Sequence, residues 1–374
     1  MKCSRIGFFF CAVLLCTGFL AAGSDSPSNE KDGSEQGGEA AVQERVPRRA
    51  NRISVEEAIE NAGPTDPIQL NQPIFVTEDQ VRLHAIYYKG NADDSTTPVV
   101  LVHGRDGKKE DWKDIAQKLA EDGKAVLIPD LRGFGESTTA IVEDYFAGGG
   151  RPAVRANDGY EFGNFRESDC EALCSYDGDL WFWFLVELHN KKRINIRKLV
   201  FVTDGFGAAV AGNWILRDWQ AGAKKGRFTR GLVMISPEMS VTVSNGENES
   251  GAGDEESGSS KKGKGKKESK GETVFDELGA RAKPGTVQYK IFAGSLDEKV
   301  FDSAQSIAWS LGKEKESVPE EERKVKLESF KTDKQGLSLA KVSSFEIPQK
   351  IIDFINNECQ LSAKQQKWQA IKTF

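Results

Sequence analysis

Histidine is scarce in this 374-residue chain: His84, His103 and His189 are the only three, and none follows His189. Any chemistry that needs an imidazole base late in the chain is therefore excluded. The three are scattered and no Cys-x-x-Cys occurs, so no metal site and no cofactor is expected. Of six cysteines, Cys3, Cys11 and Cys16 fall in the first apolar run, and Cys170, Cys174 and Cys359 cannot all pair within one molecule. Cys170 and Cys174 are too close to bridge easily across a helical turn, which leaves Cys359 with either of them open. A basic excess is also missing: the formal net charge is −6, which speaks against nucleic acid as a partner.

The long apolar run at the start, Ile6 to Leu20, falls short of the roughly 20 residues that a spanning helix needs. It follows Lys2 and Arg5 and leads into Ala21-Ala22-Gly23-Ser24. Charged region, apolar region and small-residue site together predict a signal peptide over 1–23 and export to a periplasmic, envelope or extracellular location. A membrane association follows only if that segment stays uncleaved. Residues 24–65 read as a disordered or linker segment, nearly free of apolar residues up to Arg49. Near its end, Ser54 and Glu57 form a capping box over a short helix that stops at Gly63-Pro64. The main domain is expected over 66–360, with a low-complexity, lysine-rich insertion at 244–272 and a tail at 361–374.

Within that domain, Gln72–Val76 and Val81–Tyr88 read as an N-terminal hairpin. Pro98–Val102 and Ala125–Ile128 are continuous apolar runs, the mark of strands buried on both faces, and a helix-period segment from Trp112 to Ala120 joins them. Strand, helix, strand in this rhythm gives a parallel sheet. Thr138–Tyr176 is a Gly-rich, aromatic excursion, either a pocket-edge loop or a surface insertion, and Asp179 is expected to cap the helix behind it. Leu199–Gly212 is then a short strand, a glycine-bearing corner and a small-residue helix start. Later strands are expected at Gly231–Ile235, Val287–Gly294 and Val325–Phe330.

Val-Leu-Val-His103-Gly104, followed by Asp130-Leu-Arg132-Gly133-Phe-Gly135-Glu-Ser, resembles the α/β-hydrolase superfamily, in particular its esterase and peptidase-like branch. The resemblance implies an α/β fold: an eight-stranded, mostly parallel sheet with helices on both faces and functional groups on loops at the strand carboxyl ends. The corner resembles that family's Gly-x-Ser-x-Gly elbow. Gly205 stands at the reactive position, with Thr203 and Gly207 at the small flanking positions. Placing Asp204 there instead puts Val202 and Phe206 where bulk does not fit. The acid position corresponds to Asp297, the histidine position to Gln335, and the oxyanion donors to the main-chain N–H groups of Arg105 and Phe206. His103 belongs to the His-Gly motif and shapes its loop.

Acyl transfer on this plan needs a nucleophile and a base, and neither Gly205 nor Gln335 supplies one. The expected function is binding without turnover, the partner being a protein or a small carboxylate or phosphate held by the surviving main-chain donors. The alternative is an active ester or amide hydrolase using other residues, with Asp204 as nucleophile or Asp297 activating water.

Overall fold

The computed structural model describes residues 54–371 except 72–74, 78, 145–152, 158–159, 221–226, 241–272, 282–286, 313–324 and 362–368. The expected signal segment, the linker up to residue 53 and the 244–272 insertion lie outside the described residues. No helix among the described residues is long and apolar enough to cross a membrane.

Ser54 caps helix α1 (Val55–Asn61): its Oγ accepts from the Glu57 N–H at 3.1 Å, as the capping-box spacing predicts. The hairpin expected next is split between two sheets. Val76 bridges Arg82, and Leu83 N donates to Phe75 O at 2.8 Å, so the local turn is there. Yet the edge of the main sheet is β1 (Ile68–Leu70), which pairs antiparallel with β3 (Ala85–Tyr88). Strand β2 (Val81–Arg82) leaves to join β6 (Thr139–Asp144). His84 marks the break, because its N–H donates to Ser137 Oγ at 2.9 Å instead of to a neighbouring strand.

The buried apolar runs form β4 (Pro98–Val102) and β5 (Ala125–Pro129), with α2 (Lys113–Glu121) between them. The excursion after Thr138 contains β6 and β7 (Ala153–Asn157), which pair as a hairpin and complete a small sheet with β2. Helix α3 (Glu167–Asn190) begins twelve residues before the expected cap at Asp179. Asp177-Gly178 looks like a helix start, but both residues are buried inside the helix, Asp177 against Arg132 and Gly178 against the Trp214 ring.

The remaining elements are β8 (Leu199–Asp204), α4 (Gly207–Gln220), β9 (Thr229–Ile235), α5 (Val274–Arg281), β10 (Gln288–Gly294), α6 (Glu298–Leu311), β11 (Val325–Phe330), α7 (Gly336–Ala340) and α8 (Ile347–Glu358). The eight-stranded sheet runs β1-β3-β5-β4-β8-β9-β10-β11, and all pairings from β5 to β11 are parallel. Side chains from α3, α4, α5 and α6 fill one face, with Trp214 and Phe201 at its centre. Those of α2, α7 and α8 fill the other, around Trp112, Phe292 and Ile351.

Cys170, Cys174 and Cys359 are all free thiols. Cys359 packs on the α8 side of the sheet, while Cys170 borders the opposite core. His189, in the last turn of α3, is fully buried, its ring nitrogens 3.1 Å from Ile194 O and 2.9 Å from Gln369 O.

Candidate functional site

The corner between β8 and α4 is built as its residue sizes demand. Gly205 has φ +52°, the left-handed region that a side chain disfavours. A Cβ built on Gly207 would lie 2.5 Å from His103 O and 2.8 Å from Val102 O, so only glycine lets α4 start this close to the end of β4. Thr203 is buried, its hydroxyl donating to Val233 O at 3.2 Å. The corner faces the loop after β4: Gly104 Cα lies 3.7 Å from the Cβ position built on Gly205. Arg105 follows Gly104 in that loop, and Phe206, wholly buried, precedes the first turn of α4, where N–H groups lie outside the helical ladder.

The two other positions named from the sequence come together. Asp297 caps α6, its Oδ1 accepting from Val300 N at 3.0 Å, and Gln335 Nε2 donates to its Oδ2. A side-chain amide thus stands directly against this carboxylate. Gly205, Asp297 and Gln335 all line one cleft of about 910 Å³ at the carboxyl ends of the parallel strands. None of the three histidines lines it.

The remaining motif residues support this cleft from behind. His103 is fully buried; its Nε2 accepts from Leu131 N at 3.0 Å while Nδ1 lies 2.7 Å from Gly104 O. That pair of contacts fixes a neutral ring with its proton on Nδ1, so His103 holds two loops together. Asp130 is likewise buried and accepts from Lys109 N, Lys109 Nζ and Glu136 N at 2.8, 2.6 and 2.9 Å. Gly133 and Gly135, both with positive φ, close the loop around it. Arg132, with no exposed surface, pairs with Asp177 at 2.6 Å and Asp79 at 2.5 Å, tying the β5 loop to α3 and to the N-terminal turn.

Three cleft residues carry more weight than their sequence positions indicate. Asp204, set aside because it misses the reactive register, lines the cleft and accepts from the Leu337 N–H. Its carboxyl is pushed up to about 7, by burial first and by the neighbouring charges of Glu238, Asp106 and Asp111, against the lowering hydrogen bond from Leu337. Ser236, directly after β9, has φ +49° and accepts from Gly336 N at 2.9 Å. Glu238 stands over the corner: its N–H donates to Gly205 O at 3.1 Å, and its Oε1 lies 3.4 Å from the Cβ position on Gly205. Ser236 and Glu238 lie just past the end of a strand, where open α/β sheets bind ligands, but nothing in the sequence says that this strand lies beside the elbow strand.

A family model described as "alpha/beta hydrolase fold" matches residues 97–196. Over 58 residues the chain is 40% identical to Lipase 1 of Psychrobacter immobilis, and over 60 residues 40% identical to Lipase 3 of a Moraxella species. Each match spans 16% of this chain and only 18% of the lipase. Among solved structures, an esterase of Pyrococcus furiosus is 14% identical, covering 84% of this chain and 97% of its own at a TM-score of 0.45. A Lactococcus lactis sugar hydrolase is 13% identical, with 81% and 100% covered and a TM-score of 0.46. With its mostly parallel eight-stranded sheet, helices on both faces and the matched segment spanning β4 to the approach of β8, the chain has the α/β-hydrolase fold.

Proposed function

We propose that this is an exported binding protein on an α/β-hydrolase frame, with no hydrolytic turnover. The observation that carries the reading is the hydrogen bond from Gln335 to Asp297 beside a corner whose reactive position is Gly205. An amide cannot take a proton from an attacking hydroxyl at neutral pH, and a glycine offers no hydroxyl to deprotonate. What persists is the frame: a preformed cleft, a tight corner and a carboxylate held by its own helix cap. Export rests on the Lys2, Arg5 and Ile6–Leu20 pattern. The purified protein is expected to show no release of p-nitrophenol from acetate or butyrate esters above buffer, and no labelling by a fluorophosphonate. Labelling at any residue from Thr203 to Gly207 overturns the reading.

One observation favours a second reading. A carboxyl at about 7 in a cleft is matched to proton transfer at neutral pH, so Asp204 has the acidity of a general acid or base. If esters are turned over without fluorophosphonate labelling, and Asp204→Asn abolishes that turnover, the chain is a hydrolase working through Asp204.

A further inference from the structure

We infer that the open edge of the main sheet is a docking surface for a second copy of this chain, paired antiparallel, strand to strand, about a two-fold axis at Leu327. The sheet ends at β11, whose inner side pairs with β10. Phe330 O accepts from Ser295 N at 2.8 Å, just past the end of β10, so the main chain of Phe330 faces inwards. Main-chain groups alternate sides from residue to residue along a strand, which turns those of Lys326 and Glu328 inwards too. Val325, Leu327 and Ser329 therefore present theirs outwards, and among the described residues no main-chain bond reaches them. The opposite edge offers no equivalent, since β1 is only 3 residues long and packs beside α1.

Charge selects both the partner and the register. An antiparallel strand pairs with this edge only where outward residues meet outward residues. An axis at Lys326 sets that lysine against the partner's Lys326, and an axis at Glu328 does the same with two carboxylates; like charges directly opposite destabilise a sheet. Axes farther out leave most of the strand unpaired. With the axis at Leu327, Val325 meets the partner's Ser329, Leu327 meets the partner's Leu327, and Lys326 faces the partner's Glu328 on both sides of the axis. A self-complementary strand calls for an identical one. Charged residues on an edge ordinarily block pairing, and here their alternating sign admits one register. Lys326 and Glu328 keep their own partners, Glu358 at 2.8 Å and Lys290 at 2.7 Å, so the joint extends an alternating row without breaking pairs. Apolar surface lies on the other face. Val325 and Leu327 are only partly buried there, and α6 runs beside them. The Cβ position on Gly312, at the end of that helix, is 3.4 Å from Val325 Cγ2. Trp309, in the last turn of α6, is 69% exposed, more than any other large apolar side chain among the described residues. A two-fold axis perpendicular to the sheet brings α6 of both copies to this one face of the joint, and the pairing closes at two copies because it uses the long edge of each.

The test is sedimentation equilibrium of the full chain at micromolar concentration. Wild type is expected at twice the mass of one chain. Ser329→Pro removes an outward N–H at an exposed position and leaves the ladder to β10 intact. It should raise the dissociation constant about tenfold with an unchanged circular dichroism spectrum. Register is read separately by cross-linking. Lys326 and the partner's Glu328 form a non-hydrogen-bonded pair whose Cα atoms lie roughly 4.5 Å apart, within reach of a disulfide. A mixture of Lys326→Cys and Glu328→Cys chains should cross-link under mild oxidation, whereas neither variant alone nor wild type should. A monomeric wild type overturns the proposal, as does a dimer that Ser329→Pro leaves at full strength or that the mixed cysteines fail to cross-link. If Ser329→Pro does not fold, the mixed cysteines decide alone.

Discussion

At the corner, one residue decides both strain and chemistry. A side chain at φ +52° costs of order 1 kcal/mol, and glycine avoids that cost. Space is not the obstacle, since a Cβ on Gly205 would meet Glu238 Oε1 at 3.4 Å and Gly104 Cα at 3.7 Å, ordinary contacts. Gly205→Ser should therefore fold, lose about 1 kcal/mol in urea denaturation, and remain inactive because Gln335 supplies no base. Adding Gln335→His places an imidazole beside Asp297, and weak esterase activity is expected from the double variant alone. A single variant more stable than wild type shows that this corner stores no strain. Asp204 yields a second expectation, on pH. The folded chain holds its proton up to about 7, whereas the ordinary aspartate value is 3.8. Folding thus takes up a proton between those values, and the stability this contributes is full below 3.8 and lost as pH rises through about 7. Asp204→Asn cannot ionise, so its stability relative to wild type should climb between pH 4 and pH 8 by roughly 1–3 kcal/mol, less than the full shift because water reaches this half-buried group. Urea midpoints at the two pH values check it; a wild type that gains on the variant as pH rises shows instead that the Leu337 N–H dominates and favours the ionised form.

Elements were legible where hydrophobic period and length agreed. Pro98–Val102 and Ala125–Pro129 are strands buried at every position, and their apolar runs have no polar residue to suggest anything else. The cleft's Asp297 and Gln335 were found through motif order alone, 38 residues apart in sequence and hydrogen-bonded in the fold. Helix α3 was misjudged because local rules compete there with tertiary contacts. Asp177-Gly178 has the composition of a helix boundary, but Arg132 neutralises the buried Asp177 and Gly178 makes room for Trp214. Neither partner lies nearby in sequence, so no window over α3 contains the reason for its length. Glu238 and Ser236 were invisible for a related cause. Their roles come from β9 lying beside β8 in the sheet, a neighbour relation that no spacing within either segment records.

On the scale of the whole molecule, the described part closes on itself near the start of β8. Residues 369–371, assigned from sequence to a tail beyond the domain, return to the end of α3. Asn190 and Ile371 exchange two hydrogen bonds of 2.8 Å each, Gln369 O meets His189, and the Ile371 side chain is buried in the same core as Trp214. This segment therefore covers the C-terminal end of a 24-residue helix whose middle, at Asp177, carries the Arg132 ion pair supporting the cleft loop. Removing residues 369–374 loses the burial of one isoleucine, roughly 2 kcal/mol, and strips partners from His189 and Asn190. Part of that is offset by the freedom the released chain regains and by water reaching the uncovered groups. A net loss of about 2 kcal/mol is expected in urea denaturation. Ile371→Ser should reproduce most of it, because it keeps the main-chain bonds to Asn190 and loses only the apolar contact. If the truncated protein unfolds at the wild-type midpoint, the segment rests on α3 without stabilising it. If the truncation instead abolishes ligand binding at unchanged stability, α3 transmits the position of its C-terminal end through Asp177 to the Arg132 loop, and the cleft is set in part by that end of the helix.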